Sequence, residues 1–289
     1  MNRRNLLKTL PALAAGGPAV AQPPARKARL RSALCAYSFR EALKAQTMTY
    51  HDLVRLAVET GIDGLDLTVY WFPGTGDDFL LPLKRLAFRS AVEIYSISVR
   101  TEMTQSAPDA QAKEVASVKQ WVDVAERLGT GHIRVFGGRV PKDATEEQAA
   151  GWAAEVLKRA AEYAGSKGVT LGLENHGGVT EKAATIIQIV KQVNSPWVGI
   201  NLDTGNFRTE PLRQIEMCLP YAVNFQVKSE ITGEDGKRQP SDWDRIIRVA
   251  AAAGYQGYLA LEYEAKEDPA AAVPRLLREL HRLAQKYSA

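Results

Sequence analysis

Eight short apolar runs, each followed by an amphipathic helical segment, restrict the fold of this 289-residue chain more than anything else in it. The runs are ALCAYSF (33–39), GLDLTV (64–69), IYSISV (94–99), HIRVF (132–136), VTLGLE (169–174), VGINLD (198–203), VNFQVK (223–228) and YLALEY (258–263). Periodicity predicts helices over Ala110–Leu128, Thr145–Gly165, Lys182–Val193 and Trp243–Ala253, and a closing helix over about Ala270–Tyr287. Thr145 and Gln148 have the spacing of a capping box, and Gly61, Gly129, Gly168 and Gly254 stand where helices should stop. Eight βα units over about 250 residues is the count of a single-domain α/β fold, the (β/α)8 TIM barrel. An open doubly wound sheet would need a Gly-rich phosphate turn after its first strand. Here that strand runs into AYSFREAL, and neither VFGGRV nor ENHGGV matches a dinucleotide fingerprint.

Alternation within the strands tells which way the side chains point. Val169, Leu171 and Leu173 oppose Thr170, Gly172 and Glu174; Val198, Ile200 and Leu202 oppose Gly199, Asn201 and Asp203. Val223, Phe225 and Val227 oppose Asn224, Gln226 and Lys228, and Leu259 and Leu261 oppose Tyr258, Ala260 and Glu262. One assignment suits all four strands: branched and aromatic residues face the helices, while small and polar ones point into the barrel. Glu174, Asp203 and Glu262 then converge at the C-terminal mouth, where barrel active sites sit. Inward carboxylates are costly unless neutralised. A shared divalent cation would do this. So would three separate salt bridges, to Lys228, Arg134 and Arg100.

The formal net charge of +4 comes from the N-terminal arm. Residues 1–31 hold seven Lys and Arg and no acid, so the remainder carries 30 basic against 33 acidic residues. A nucleic-acid groove therefore lacks its electrostatic motive. RRNLLK (Arg3–Lys8), an Ala-rich apolar run and AVA (Ala19–Ala21) resemble a twin-arginine export signal. The expected division is a signal peptide over 1–21, a basic linker over 22–31 and a barrel over 32–289. The apolar run is too short for a membrane span, so no stable membrane insertion is expected after signal removal, and the location is periplasmic or otherwise exported. The two cysteines, Cys35 and Cys218, form no framework and read as small buried hydrophobes.

LGLENHGG (Leu171–Gly178), GINLDTGNF (Gly199–Phe207), NFQVKSE (Asn224–Glu230) and LALEYE (Leu259–Glu264) follow one another in this order, alongside LTVYWFP and IRVFGG. Over about residues 32–287 the chain resembles the xylose isomerase-like TIM barrel superfamily, in particular exported members of its sugar phosphate isomerase/epimerase group. The resemblance implies Glu174, Asp203, Gln226 and Glu262 as ligands of one divalent metal, with the two glutamates doubling as acid/base groups. Gln226 stands where His is usual, and Asn206 stands where many members carry His. Three carboxylates and an amide favour Mn²⁺, with Mg²⁺ or Co²⁺ as alternatives. A multi-zinc DNA-repair site is excluded by four histidines in all, two of them (His51 and His281) on predicted helices.

Of the other histidines, His176 falls at the mouth as a proton relay, and His132 at the far end as a structural residue. Lys228 points toward a developing enediolate as its electrostatic stabiliser, or else only neutralises the acids. Arg100 and Arg134 are expected to bind a carboxylate, phosphate or hydroxyls of the substrate. Tyr37, Asp66, Asn206, Tyr70 and Trp71 are further candidates for substrate contact. The expected activity is metal-dependent isomerisation or epimerisation of a small-molecule sugar or keto-sugar through an enediolate. A dehydratase or keto-glycoside lyase or hydrolase, and a non-catalytic sugar-binding protein, are the alternatives. A homodimer is the assembly common among such relatives.

Overall fold

A computed structural model describes residues 28–233 and 235–288. The expected signal peptide and the linker up to residue 27 lie outside the described residues. Ten strands follow in chain order: β1 (Leu30–Cys35), β2 (Gly64–Thr68), β3 (Glu93–Ser98), β4 (His132–Phe136), β5 (Thr170–Glu174), β6 (Val198–Asp203), β7 (Ala222–Lys228), β8 (Glu230–Thr232), β9 (Arg238–Pro240) and β10 (Gly257–Glu262). Eight of them close a parallel barrel in the order β1-β10-β7-β6-β5-β4-β3-β2, as the eight-unit count predicts. β1 opens at Leu30, so Leu30 and Arg31, assigned above to the linker, belong to the first stave. Its C-terminal part is shorter than expected, because Ala36–Phe39 turns into a 3-10 helix. The antiparallel pair β8–β9 is an unforeseen insertion between the seventh stave and the helix Trp243–Ala252.

Strand parity holds along the staves except at Val223, which is skipped by a register slip between β6 and β7 and is exposed. Leu171, Leu173, Ile200, Leu202, Phe225, Val227, Leu259 and Leu261 are fully buried in the core shared with the helices. The helix Glu146–Ser166 turns an alanine-rich face into that core, including Ala149, Ala153, Ala160 and Ala164. Small side chains there let helix and strand approach closely. Its start is fixed as predicted: Gln148 N–H donates to Thr145 Oγ1 at 3.1 Å, and Thr145 N–H to Gln148 Oε1 at 2.9 Å. No helix among the described residues is long and apolar enough to cross a membrane.

The interior is a separate, smaller cluster built on Ala33, Cys35, Tyr95 and Ala260. The β2–β3 register slips between Leu65 and Asp66, leaving Tyr95 as the extra residue of a bulge. Its ring stacks on Tyr258 at 3.7 Å and closes the N-terminal floor. One step above the floor, His132 Nδ1 lies 2.8 Å from Ser96 Oγ. Burial, then the Arg134 charge, pushes the imidazole down to about 3, so it is a neutral structural residue.

His132 fits because β5 offers Gly172 beside it. A Cβ at Gly172 would lie 2.3 Å from His132 Nε2 and 3.0 Å from the Cβ of Asn201. Gly172→Ala therefore overpacks the interior and is expected to cost about 1–3 kcal/mol, lowering Tm by several degrees. Thermal unfolding followed by circular dichroism checks this; an unchanged Tm would show that His132 yields freely.

Candidate active site

Glu174, Asp203, Lys228 and Glu262 are the last residues of β5, β6, β7 and β10, so the barrel delivers all four side chains to one mouth. Above them lies a cavity of about 640 Å³, lined among others by Tyr37, Tyr70, Arg100, Arg134, His176 and Asn206. Asp66, expected as a substrate contact, is buried beneath this cavity and does not line it. Its Oδ1 accepts from Ser98 Oγ at 2.8 Å. Arg100 lines the cavity, but its guanidinium lies over the Tyr70 ring at 4.9 Å and is not paired with one of the three acids.

Two cations divide the acids between them. Arg134 Nε stands 2.9 Å from Glu174 Oε2, and both side chains are buried. The guanidinium is fixed by donating to the Val99 carbonyl at 2.9 Å and to Tyr70 Oη at 3.2 Å, and it stacks over Phe136 at 4.0 Å. The other oxygen of Glu174 meets His176 Nδ1 at 2.5 Å and accepts from Asn206 Nδ2 at 3.2 Å. Burial would raise the Glu174 carboxyl, but Arg134, then His176 and Lys228, hold it below the usual carboxylate range. His176 responds in the opposite sense: burial lowers its basicity, and the contact with Glu174 outweighs that and raises it. Its ring stacks on Phe136 at 4.0 Å and is half-exposed, open to the cavity.

Lys228 holds the other acids. Its Nζ lies 2.5 Å from Glu262 Oε1 and 3.3 Å from Asp203 Oδ2, and it also contacts Glu264 Oε2. Burial opposes the ammonium, yet Asp203, Glu262 and Glu264 together raise its pKa well above normal. Asp203 shows the converse excess of negative charge. Burial, checked by Lys228 but reinforced by Glu262 and Glu174, pushes its carboxyl up to about 8. Cys35 is more than a space-filler: burial and neighbouring acids keep its thiol protonated, and Sγ donates to Glu262 Oε2 at 3.4 Å. Glu264 was missed from sequence, although it shares the parity of Glu262 in LALEYE.

The fit to a metal can be read from the individual donor atoms. Gln226 Oε1 accepts from Asn201 Nδ2 at 2.8 Å, and its Nε2 donates to Asp66 Oδ2 at 3.2 Å. Both oxygens of Glu174 and both of Glu262 face protein partners. Asp203 Oδ1 accepts from the Gly205 N–H at 2.8 Å; its Oδ2 has no hydrogen-bond partner among the described residues and faces Lys228. Among the described residues no three His, Cys, Asp or Glu side chains converge as a metal site. As arranged, Glu174, Asp203, Gln226 and Glu262 do not fit a divalent ion. The expected salt-bridge alternative describes them better, with Lys228 serving two of the acids and Arg100 none.

Replacing Glu174 by Gln leaves Arg134 buried without its counter-charge, which is expected to cost about 3 kcal/mol near neutral pH. The folded-state pKa of Glu174 is depressed, so its stabilisation is present above the unfolded carboxylate value of about 4.3 and is lost as pH falls through the folded value. Urea titrations of wild type and Glu174→Gln should therefore diverge at pH 7 and converge in acid. A constant gap down to pH 3 would show that the pair is not what Glu174 contributes.

A family model described as xylose isomerase-like TIM barrel matches residues 54–281. No curated protein matches. Among solved structures, D-psicose 3-epimerase of Clostridium cellulolyticum H10 superposes with a TM-score of 0.69 at 16% identity, covering 89% of this chain and 98% of its own. The 3-keto-D-glucoside 4-epimerase of E. coli gives 0.68 at 13% identity, with coverage of 90% and 100%. The probable 3-DHS dehydratase of Bacillus anthracis gives 0.63 at 19%, with coverage of 88% and 98%. At such identities the likeness carries the fold alone.

Proposed function

This chain belongs to the xylose isomerase-like TIM barrel family, and we propose that it is an isomerase or epimerase moving a proton at a carbon beside a sugar carbonyl. The observation that carries the reading is that Glu174 and Glu262 face one cavity from staves three apart, each beside its own buried cation. Epimerisation or isomerisation needs one group to take a proton and another to return one. Glu174, ionised and joined to His176, suits the accepting side, with His176 passing the proton outward. Glu262, within reach of the Lys228 ammonium and the Cys35 thiol, suits the returning side. As the C–H proton leaves, negative charge gathers on the carbonyl oxygen. Fixed cations in a water-poor mouth stabilise that charge without reorganising. Tyr37, Tyr70 and Arg100 line the cavity and supply ring faces and donors for hydroxyl groups.

The same intermediate expels a leaving group placed β to the carbonyl, which would make the enzyme a dehydratase or keto-glycoside lyase. Gln226 in place of the usual histidine, together with the dehydratase among the structural neighbours, supports this second outcome. A periplasmic workplace reached through the twin-arginine signal belongs to the proposal too, supported by Arg3–Lys8 and Ala19–Ala21.

Incubating the full chain with keto-sugars in D₂O tests the chemistry. Wild type should wash deuterium into the carbon beside the carbonyl, and Glu174→Gln and Glu262→Gln should each slow this by about 10²-fold or more. Tight sugar binding without any wash-in would sink the enzyme reading in favour of a binding protein.

A further inference from the structure

We propose that Lys228 is a built-in cation: its ammonium stands at the point where the carboxyl groups of Asp203, Glu262 and Glu264 converge, and this barrel works without a divalent metal at the mouth. The first support is position. Three carboxylates from β6, β10 and the segment just beyond β10 meet a single Nζ. An ion held by Asp203 and Glu262 would lie close beside a buried ammonium whose one remaining acid is the half-open Glu264, and like charges so close repel strongly.

The second support is that the lysine is held there. A Cβ at Gly205 would lie 2.6 Å from Lys228 Cγ, so only glycine leaves a channel for the stem. Lys228 N–H donates to Thr204 Oγ1 at 2.9 Å, and its carbonyl accepts from Trp243 Nε1 at 2.7 Å. Backbone and stem are fixed together, and withdrawing the head would leave three acids uncompensated.

The third support lies beneath. Tyr95 Oη donates to Asn224 Oδ1 at 3.1 Å, Asn224 Nδ2 to Asn201 Oδ1 at 2.7 Å, and Asn201 Nδ2 to Gln226 Oε1 at 2.8 Å. Gln226 Nε2 then donates to Asp66. Every amide in this ladder points one way. Turning the Gln226 oxygen away to a metal would take it from Asn201 Nδ2 and leave that donor unpaired inside the barrel.

The role of the ammonium toward substrate rests on the proposed function; the exclusion of metal does not. An ammonium has three donors; here Glu262 and Glu264 accept from it, and Asp203 Oδ2 stands 3.3 Å away. Glu264 is about one-third exposed, whereas Asp203 and Glu262 are buried. Glu264 can be resolvated, so it is the partner that yields when a substrate oxyanion takes a donor.

Mn²⁺ titration of the chelator-treated full chain, read by the electron paramagnetic resonance of free Mn²⁺ and by Tm, tests the inference. Wild type should leave the free-ion signal undiminished and show no Tm shift. Lys228→Met, which opens the position, should take up one Mn²⁺ per chain and gain about 5–10 °C in Tm at saturating metal. One tightly held Mn²⁺ in wild type overturns the inference, as does a folded Lys228→Met that ignores the ion. Should that variant not fold, the wild-type titration alone decides. No deuterium exchange together with no Mn²⁺ uptake would refute the enzyme reading and leave this inference standing. Exchange that requires Mn²⁺ would do the reverse.

Discussion

A carboxylate pointing into a barrel must find a counter-charge, and the organisation of this mouth follows from how that demand is met. Glu174, Asp203 and Glu262 lie at strand ends where water is scarce, and an unpaired charge there would cost several kcal/mol. The chain answers with two cations of different character. Arg134 is planar: it donates to Val99 and Tyr70, and its flat face lies over the Phe136 ring. Lys228 is a compact charge on a long stem, threaded past Gly205 into a nest of three acids. The β4–β5 side of the mouth is thereby rigid and well matched in charge. On the β6–β7–β10 side three acids share one cation, and burial first, then Glu262 and Glu174, pushes the Asp203 carboxyl up to about 8 against the pull of Lys228. Two glutamates that look equivalent in sequence sit beside different cations, Glu174 on Arg134 and Glu262 on Lys228.

Below the charged layer the interior is polar without being ionic. The amide ladder from Tyr95 through Asn224 and Asn201 to Gln226 ends on Asp66, which also accepts from Ser98. An amide both donates and accepts and does not titrate, so the ladder keeps its direction over a wide pH range. It begins at a bulge: the extra residue that lets Tyr95 close the floor also aims its hydroxyl at Asn224. Asp66 has the parity of a substrate contact but not the depth. It lies one layer too low, serving the ladder and not the cavity.

Parity explains both how much was legible in the sequence and where legibility stopped. Alternation is a property of the backbone, repeated every two residues, so the inward set from Gly172 to Glu262 could be read with no tertiary information. Helix ends such as Thr145 with Gln148 were equally local. The partner of an inward side chain is a different question. It depends on stem length, on neighbouring staves far apart in sequence, and on which cation reaches an acid first. β7 and β10 are joined in register at Lys228 and Glu262, yet 34 residues separate the two in the chain. Nothing in VNFQVKSE indicates that its lysine will outreach its glutamine, or that Gly205, two residues beyond the end of β6, will leave it a channel. Resemblance fills that gap with the partners relatives imply, whereas here the amide of Gln226 faces Asn201 and Asp66. With glutamine at position 226 tied into the amide ladder, the acids above it are left to the nearest available cation, and the nearest is two residues along the same strand.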